Sequence, residues 1–415
     1  MSEAASRKAR ATAAVLSAPL KGEDRMLKYS LRAALPVAAS LMLATAASAE
    51  DPLKIGFITT LSGPAGYLGA DLRDGFALAI EMGGGTLGGK PVELVAEDDG
   101  LKPANAVQSA ERMLEDGVKL FSGIVFANVA GATVPEILDS GAIYISANTA
   151  SSDFAGKGCA PNYFVSSWQD DAQGESAGAL AEAKGYKTAW LLAPNYQAGQ
   201  ETMVAFKRFF KGEILGENYT GLDQTDFAAE LAKIRAAKPE VVYEFEPGGL
   251  GIAFIKQYQQ AGLLGEIPLA VHPASLDQAI VAAVGDAADG LMVTSHWNSD
   301  FDNPVNKAFV EAWVKKYGTE RPITYYAAQG YDAALMAAEG LKAADPSDAE
   351  AFRAALLAAD IPSVRGKFTF GKNQHPVQDW YVLRAEKNAE GKIDLVTGEK
   401  VLTEHGDVYA AECGL

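Results

Sequence analysis

The sequence predicts an α/β protein of two lobes, each with a parallel sheet covered by helices on both faces. Short apolar runs rich in β-branched residues alternate with amphipathic helix-length segments, and this alternation restarts once near the middle of the chain. The 366 residues that follow an N-terminal leader are too many for one ordinary core and suit two domains. We therefore expect two doubly wound, Rossmann-like lobes.

The first 49 residues are predicted to be a leader that contains a signal peptide. Met26, Lys28 and Arg32 give it a basic start, residues 33–47 form an apolar core, and Ala47-Ser48-Ala49 is a small-residue cleavage site. The apolar core is too short to span a bilayer. We expect export to the periplasm with cleavage near Ala49, and a translation start at Met26 is a hypothesis that fits this leader.

The first β–α–β unit occupies residues 53–100. Residues 54–59 form an apolar run typical of a buried strand. Residues 62–64, Ser-Gly-Pro, are typical of a turn. Apolar residues then recur at helical spacing over 68–80, three glycines end that helix, and a second strand over 91–97 leads into two aspartates. Open α/β sheets bind ligands at the carboxyl ends of their strands, so the loop after the first strand is a candidate site.

The same rhythm continues to the end of the chain. We predict further strands over 119–123, 142–146, 163–166, 188–193, 213–219, 240–245, 267–271 and 291–295. The helices between them are predicted over 104–115, 130–140, 172–184, 200–210, 227–236 and 252–261. Three helices (305–317, 325–343 and 348–358) and closing strands over 366–370, 380–385 and 393–402 complete the prediction.

Two stretches carry a resemblance to a known family: KIGFITTLSGPAGYLG and DGFALAIEMGGGTLGGKPVELVAEDDG. In an exported chain, this ordered series resembles the type I periplasmic binding proteins. Within them it is similar to the branched-chain amino acid (Leu/Ile/Val) receptors of ABC importers, from about Lys54 to about Ala385.

The resemblance implies two lobes joined by a hinge that the chain crosses three times, which favours closure over free flexing. We place the crossings near 166–170, 295–298 and 371–378. The implied lobe boundaries are residues 50–168 plus 297–373 for the first lobe and residues 169–296 plus 374–415 for the second lobe.

Matching positions nominate binding residues in the first lobe. In the Leu/Ile/Val receptors, the loop matching Gly123–Gly131 and the loop after the strand matching Ile143–Ser146 hold the ligand carboxylate with hydroxyls and backbone amides. Here these loops read GIVFANVAG and SANTASS. The alternative is that their polar residues are ordinary helix caps. The polar candidates are Asn128, Asn148, Thr149 and Ser151. Phe126 is the candidate for an apolar wall, and Tyr67 matches a tyrosine that the family has at the mouth of the cleft.

The second lobe decides the ligand class. In the family, an acidic residue after the strand matching 267–271 pairs with the ammonium group of an amino acid. His272 stands at that position here, and Glu246 is the candidate replacement acid. Aromatic residues at strand ends or crossings favour a flat apolar ligand, although each of them alone is equally a core residue. They are Trp168, Tyr196, Phe245, His272 and Trp297.

Three further stretches, NYQAGQ, EPGGLG and TSHW…NPVN, resemble family members that take up aromatic carboxylates such as benzoates or hydroxycinnamates. The resemblance thus implies a periplasmic receptor that captures a small carboxylate and delivers it to an ABC permease in the inner membrane. We expect an aromatic acid as ligand; the alternative is a branched-chain or other hydrophobic amino acid.

Enzyme motifs are absent from the sequence, which has no Gly-x-Ser-x-Gly elbow, Walker loop or His-Glu-x-x-His. Asp98 and Asp99 are one conceivable acid/base pair, but adjacent carboxylates at a strand end more often cap a helix. Two cysteines and four scattered histidines give no metal-ligand spacing. We expect no enzymatic activity, no cofactor and no metal.

A ligand-sensing ectodomain has the same fold, but it needs a transmembrane helix after the lobes, and the sequence ends at Leu415 without one.

The chain is strongly acidic. The net charge is −17, and it becomes −21 without the leader, which carries seven basic and three acidic residues. This balance argues against nucleic acid and anionic membranes as partners. We expect a monomer.

Cys159 and Cys413 can form a disulfide in the oxidising periplasm, and the alternative is two unpaired thiols.

Overall fold

The first sheet is built from the N-terminal β–α–β units, as predicted. The computed structural model describes residues 51–415, so the predicted leader and its cleavage site lie outside the described residues. The strands are β1 Leu53–Thr59, β2 Thr86–Leu87, β3 Lys90–Asp98, β4 Leu120–Gly123, β5 Ile143–Ser146 and β6 Tyr163–Val165. Their order is β2-β3-β1-β4-β5-β6, and only the β2–β3 pair is antiparallel among them.

Helices cover both faces of this sheet, which explains why its central strands are apolar along their length. Ile55 and Phe57 of β1 are completely buried. The covering helices come from two parts of the chain: α1 Gly66–Met82, α2 Pro103–Glu115 and α3 Ala127–Asp139 from the N-terminal part, and α9 Pro304–Tyr317, α10 Tyr325–Ala343 and α11 Ala349–Ala358 from the C-terminal part.

Helix α10 approaches α1 very closely because both helices have a glycine at the contact. A Cβ atom on Gly75 of α1 would lie 1.9 Å from the carbonyl oxygen of Ala327, and one on Gly330 of α10 would lie 1.8 Å from that of Leu72. Any larger residue at either position would therefore push the helices apart. This contact holds the first residue of α10, Tyr325, beside the loops that follow the strands of the first sheet.

The second sheet begins in the middle of the chain and also contains its end. Its strands are β7 Thr188–Pro194, β8 Glu213–Thr220, β9 Val241–Glu244, β10 Leu269–Val271, β11 Met292–Ser295, β12 Thr369–Phe370, β13 Pro376–Lys387 and β14 Ile393–His405. The order is β12-β13-β11-β10-β9-β7-β8, with β14 on β13. Its helices are α4 Asp171–Ala183, α5 Gln197–Phe209, α6 Ala228–Ala237, α7 Gly249–Gln260 and α8 Gln278–Val284.

Three short elements depart from the sequence-based prediction. Helix α8 was missed because seven residues are too few to show helical spacing. A signal was nevertheless present, since Asp277 caps this helix by accepting a hydrogen bond from the backbone N–H of Ile280 at 2.8 Å. The two-residue strand β2 was also missed, and the strand predicted over 366–370 spans only Thr369–Phe370.

The segment after β6 and the strand β13 are tied together by the buried side chain of Arg365. Its Nη1 donates to the carbonyl oxygen of Ser167 and to Oε1 of Gln378, both at 2.7 Å, and its Nη2 donates to the carbonyl oxygen of Ser166. Asp332 of α10 lies 3.8 Å from Nε. Ser166 and Ser167 follow β6 of the first sheet, and Gln378 lies on β13 of the second sheet, so one guanidinium group connects elements of both sheets.

The C-terminal tail forms a further connection. Cys413 forms a disulfide with Cys159, which lies in the segment between β5 and β6, and their Cα atoms are 5.7 Å apart, as the sequence analysis expected. Asp407, earlier on the same tail, accepts a hydrogen bond from Nδ2 of Asn373 at 2.6 Å and lies 2.6 Å from Nδ1 of His375. No helix within residues 51–415 has the length and apolarity needed to cross a membrane.

We predict that protein purified from the periplasm contains no free thiol when it is titrated under denaturing conditions. Cys159→Ser combined with Cys413→Ser should lower the free energy of unfolding by about 2–4 kcal/mol, because the open chain gains entropy when unfolded. Chemical denaturation of both proteins measures this difference. Two thiols per chain in the unmodified protein, or an unchanged denaturation midpoint in the double variant, would contradict the prediction.

Candidate functional site

A cavity lies between the two lobes at the carboxyl ends of the strands. Its volume is only about 30 Å³, so it is narrow. Its wall comes from loops after strands of both sheets, from the segment between β6 and α4, and from the start of α10. The lining residues are Val125, Phe126, Asn148, Thr149, Trp168, Asp170, Gln173, Tyr196, Ala198, Phe245, Pro247, His272, Ala274, Tyr325 and Tyr326.

The structure brings seven of the twelve nominated residues together around this cavity: Phe126, Asn148, Thr149, Trp168, Tyr196, Phe245 and His272. Phe126 ends the segment after β4 and precedes α3, while Asn148 and Thr149 follow β5. The two loops are joined because Nδ2 of Asn148 donates to the carbonyl oxygen of Val125 at 2.7 Å. This bond orients the amide, and Oδ1 of Asn148 is buried with no hydrogen-bond partner among residues 51–415.

Asp170 lines the cavity and was not nominated from the sequence. Its Oδ2 accepts the hydroxyl of Thr149 at 2.6 Å, and its Oδ1 accepts the backbone N–H of Ala150 at 2.7 Å. These are the donors that the resemblance assigned to a ligand carboxylate, and here they are occupied by a carboxylate of the protein. Burial raises the pKa of Asp170 above its usual value. The only sequence signal was its position at the predicted first crossing.

His272 follows β10 and faces the cavity as a neutral ring. Its Nδ1 accepts the backbone N–H of Ala274 at 3.0 Å, which places the ring proton on Nε2. Burial also lowers the pKa of His272 well below its usual value. The free ring nitrogen is therefore a hydrogen-bond donor, and it cannot accept a proton from an ammonium group.

Glu246, the candidate replacement acid, lies outside the lining residues of the cavity. Its Oε1 accepts the hydroxyl of Thr220 at 2.5 Å, below the turn that Phe245 and Pro247 present to the cavity. Burial raises the pKa of Glu246 to about 8. Glu244, two residues earlier, is completely buried within β9, and burial raises its pKa as well. Neither acid is placed to meet a charged group in the cavity.

Aromatic rings form nearly half of the cavity lining and lie in two groups. In the first, Tyr196 has its ring centroid 6.4 Å from that of Phe126 and 6.0 Å from that of Phe245, and Phe245 lies 4.0 Å from His272. The second group comes from the first crossing and the start of α10 and was largely missed. It contains Trp168, Tyr325 and Tyr326, with centroid distances of 5.7 Å and 4.2 Å between successive rings.

The remaining nominated residues lie outside the cavity lining. Tyr67 of α1 packs near Gly248 of the opposite lobe, and its buried hydroxyl has no hydrogen-bond partner within the described part of the chain. Oδ1 of Asn128 and Oγ of Ser151 are likewise buried without a partner there, so neither side chain caps a helix. Trp297 donates from Nε1 to Asn306 at 2.8 Å and lines a neighbouring cavity instead.

The paired aspartates after β3 have a structural role. Asp98 accepts the backbone N–H of Leu61 at 2.8 Å, and Asp99 accepts the hydroxyl of Thr60 at 2.6 Å, so together they hold the loop after β1. Among the described residues, His, Cys, Asp and Glu side chains form no group of three or more suited to a metal ion.

Comparison with known proteins places this cavity in context. A sequence model of the periplasmic binding protein family matches residues 52–391. The chain is similar to the solute-binding protein of an ABC transporter from R. palustris in complex with benzoate, with 31% identity, a TM-score of 0.82, and coverage of 88% of this chain and 100% of that one.

Two further relatives differ in the ligands they are named for. One is the solute-binding protein of an ABC transporter from Rhodopseudomonas palustris BisB5 in complex with 3,4-dihydroxy benzoic acid (26% identity, TM-score 0.76, covering 86% of this chain and 99% of that one). The other is the leucine-, isoleucine-, valine-, threonine-, and alanine-binding protein of Pseudomonas aeruginosa (27% identity over 359 residues, 84% of this chain and 92% of that one).

The family match covers most of the sequence, and the fold places two parallel-dominated sheets on either side of one cavity. Members of this family are substrate-binding receptors that work with the permease components of ABC transporters. The chain therefore belongs to the periplasmic binding protein family, as a type I solute-binding protein of an ABC transporter.

Proposed function

We propose that this receptor captures an aromatic carboxylate in the cavity between its lobes. The aromatic wall carries the proposal: seven of the fifteen lining residues have aromatic rings. Stacking between aromatic rings contributes about 0.5–1.5 kcal/mol per pair beyond the burial of apolar area. A flat ligand fits a narrow cavity between two aromatic groups better than a branched aliphatic side chain does.

The carboxylate of such a ligand finds donors on the second lobe. The ring of His272 lines the cavity and carries its proton on Nε2, and Nε2 of Gln173, another lining residue at the start of α4, is buried without a partner among residues 51–415. Hydrogen bonds from these donors to a carboxylate need no buried cation. The neutral histidine at the position where the resemblance expects an acid thus favours an anion over a zwitterion.

The rival ligand is a branched-chain amino acid, and two observations favour it. A relative of 27% identity is named for such ligands, and Asp170 places one carboxyl group in the cavity wall. A buried ammonium group without a paired anion costs several kcal/mol. Asp170 already accepts two hydrogen bonds from the protein, and burial favours its neutral form, so it is a poor ammonium partner.

Ligand capture is proposed to be followed by closure of two lobes, residues 50–168 plus 297–373 and residues 169–296 plus 374–415. The protein would act as a periplasmic monomer after removal of its leader near Ala49, and the closed form would dock on an ABC permease whose ATPases supply the energy. Neither nucleic acid nor a catalytic reaction is part of the proposed role.

Calorimetric titration of the ligand-free protein tests the ligand class. Benzoate and 4-hydroxybenzoate should bind in the micromolar range. Leucine and valine should bind at least about a hundredfold more weakly. An unpaired buried ammonium group costs several kcal/mol, and a hundredfold loss of affinity corresponds to only about 3 kcal/mol. Micromolar binding of leucine, together with no heat from either aromatic acid, would overturn the proposal in favour of the amino acid ligand.

A second test removes the donor on His272. His272→Leu should weaken the binding of aromatic acids by about tenfold or more, since a hydrogen bond to a charged group contributes roughly 1.5–3 kcal/mol. His405→Leu is the matched control, because His405 lies on β14 outside the cavity lining and contacts Glu175. Titration of both variants, after thermal melting has shown that they are folded, gives the comparison. Equal affinities would exclude His272 as a ligand donor.

A further inference from the structure

A neighbouring cavity lies against the main cavity, which is the one lined by Phe126 and His272. The volume of the neighbouring cavity is about 20 Å³. Among residues 51–415, only Tyr325 lines both cavities. The rest of the neighbouring cavity is largely apolar, with side chains from the second sheet, from the segment before α8 and from the loop before α10: Leu276, Val293, Ile323, Leu383 and Leu395.

Two parts of the chain separate the cavities. One is the turn after β10, where His272 and Ala274 line the main cavity and Pro273, between them, lines the neighbouring cavity. The other is Tyr325, the first residue of α10. The turn separates the cavities with its backbone, which no substitution removes. Tyr325 is therefore the side chain whose loss would join them.

The side chain of Tyr325 lies between groups of the two cavities. Its ring centroid is 5.7 Å from that of Trp168 and 4.2 Å from that of Tyr326, and both of these rings line the main cavity. Burial raises the pKa of Tyr325 well above its usual value, and nearby Tyr326 and Asp277 add to this rise. Because Asp277 lines the neighbouring cavity, the ring extends from one cavity towards the other.

The backbone that carries Tyr325 is held firmly in place. Asp71 of α1 accepts hydrogen bonds from Nη2 of Arg321 at 2.6 Å and from the hydroxyl of Thr324 at 2.7 Å. The hydroxyl of Thr324 also accepts the backbone N–H of Ala327, which caps α10. With the close contact between α1 and α10, these bonds fix the start of α10, so the wall cannot move away without breaking them.

We infer that Tyr325 sets the size limit of the ligand. Its ring closes the main cavity against the neighbouring cavity, and the receptor is thereby restricted to acids with one ring. A second ring would overlap with Tyr325, and overfilling a packed interior is destabilising. This inference rests on the proposed function and adds to it the residue that determines specificity for size.

The size limit is tested first on the unmodified protein by calorimetry. Benzoate should bind at least about tenfold more tightly than biphenyl-3-carboxylate and biphenyl-4-carboxylate, because overfilling the cavity is costly. Both biphenyl acids are needed, since they direct the second ring towards different parts of the wall.

The wall is then removed with Tyr325→Ala, which should join the two cavities. Benzoate should bind up to about tenfold more weakly, because one aromatic contact is lost. The affinity for at least one biphenyl acid, relative to that for benzoate, should rise at least about tenfold, because the second ring gains apolar contacts in the neighbouring cavity.

Two further variants show whether the neighbouring cavity causes the gain. Tyr326→Ala is the matched control, because it removes the same side chain one residue later, where only the main cavity is lined. The affinity ratio should change by less than about threefold in this control. Ile323→Phe, added to Tyr325→Ala, should fill the neighbouring cavity and abolish the gain. Thermal melting establishes that each variant is folded, and Tyr325→Leu replaces Tyr325→Ala if the latter is not.

The possible failures are distinguishable. A biphenyl acid that binds the unmodified protein as tightly as benzoate would overturn this inference, and so would a gain in Tyr325→Ala no larger than that in Tyr326→Ala. Either result leaves the aromatic acid receptor standing. Silence of the unmodified protein towards all three aromatic acids, with binding of leucine or valine, would overturn the proposed function, and this inference with it.

Discussion

The arrangement of the cavity depends on one buried cation. Arg365 is 8% exposed, and burial lowers the pKa of its guanidinium to about 10. The group remains charged at neutral pH, and removing a buried charge from water is costly unless it is hydrogen bonded. This cost is offset by hydrogen bonds from the guanidinium to the carbonyl oxygens of Ser166 and Ser167 and to Gln378, and by the nearby carboxylate of Asp332. The segment held in this way leads directly to Trp168 and Asp170, so the position of two cavity residues follows from the hinge.

The site residues that directly follow strands could be predicted from the sequence. Phe126, Asn148, Phe245 and His272 each stand just after a strand whose apolar run is visible in the sequence, and the rule that parallel strands present ligands at their carboxyl ends brought them together. The two-sheet architecture was predictable for the same reason.

The rest of the site depends on contacts between distant segments. Tyr325 and Tyr326 begin a helix from the C-terminal half, and they reach the cavity because Gly75 and Gly330 let α10 approach α1 closely. Hydrogen-bonding states are equally invisible in a sequence. The tautomer of His272 depends on the N–H of Ala274, and the engagement of the Thr149 hydroxyl depends on where the first crossing places Asp170.

The disulfide has a consequence for the thermodynamics of closure. Cys159 lies between β5 and β6 of the first sheet, and Cys413 follows β14 of the second sheet. Asp407 of the same tail contacts Asn373 and His375, which precede β13. If the lobes close on the ligand as proposed, a covalent link there would restrict sliding of one lobe past the other while permitting rotation, so the open protein would sample fewer arrangements. Less conformational entropy would remain to be lost when the lobes meet, and binding would become tighter by that amount. Part of the affinity for the ligand would then be determined by oxidation of the two thiols, before any ligand is encountered.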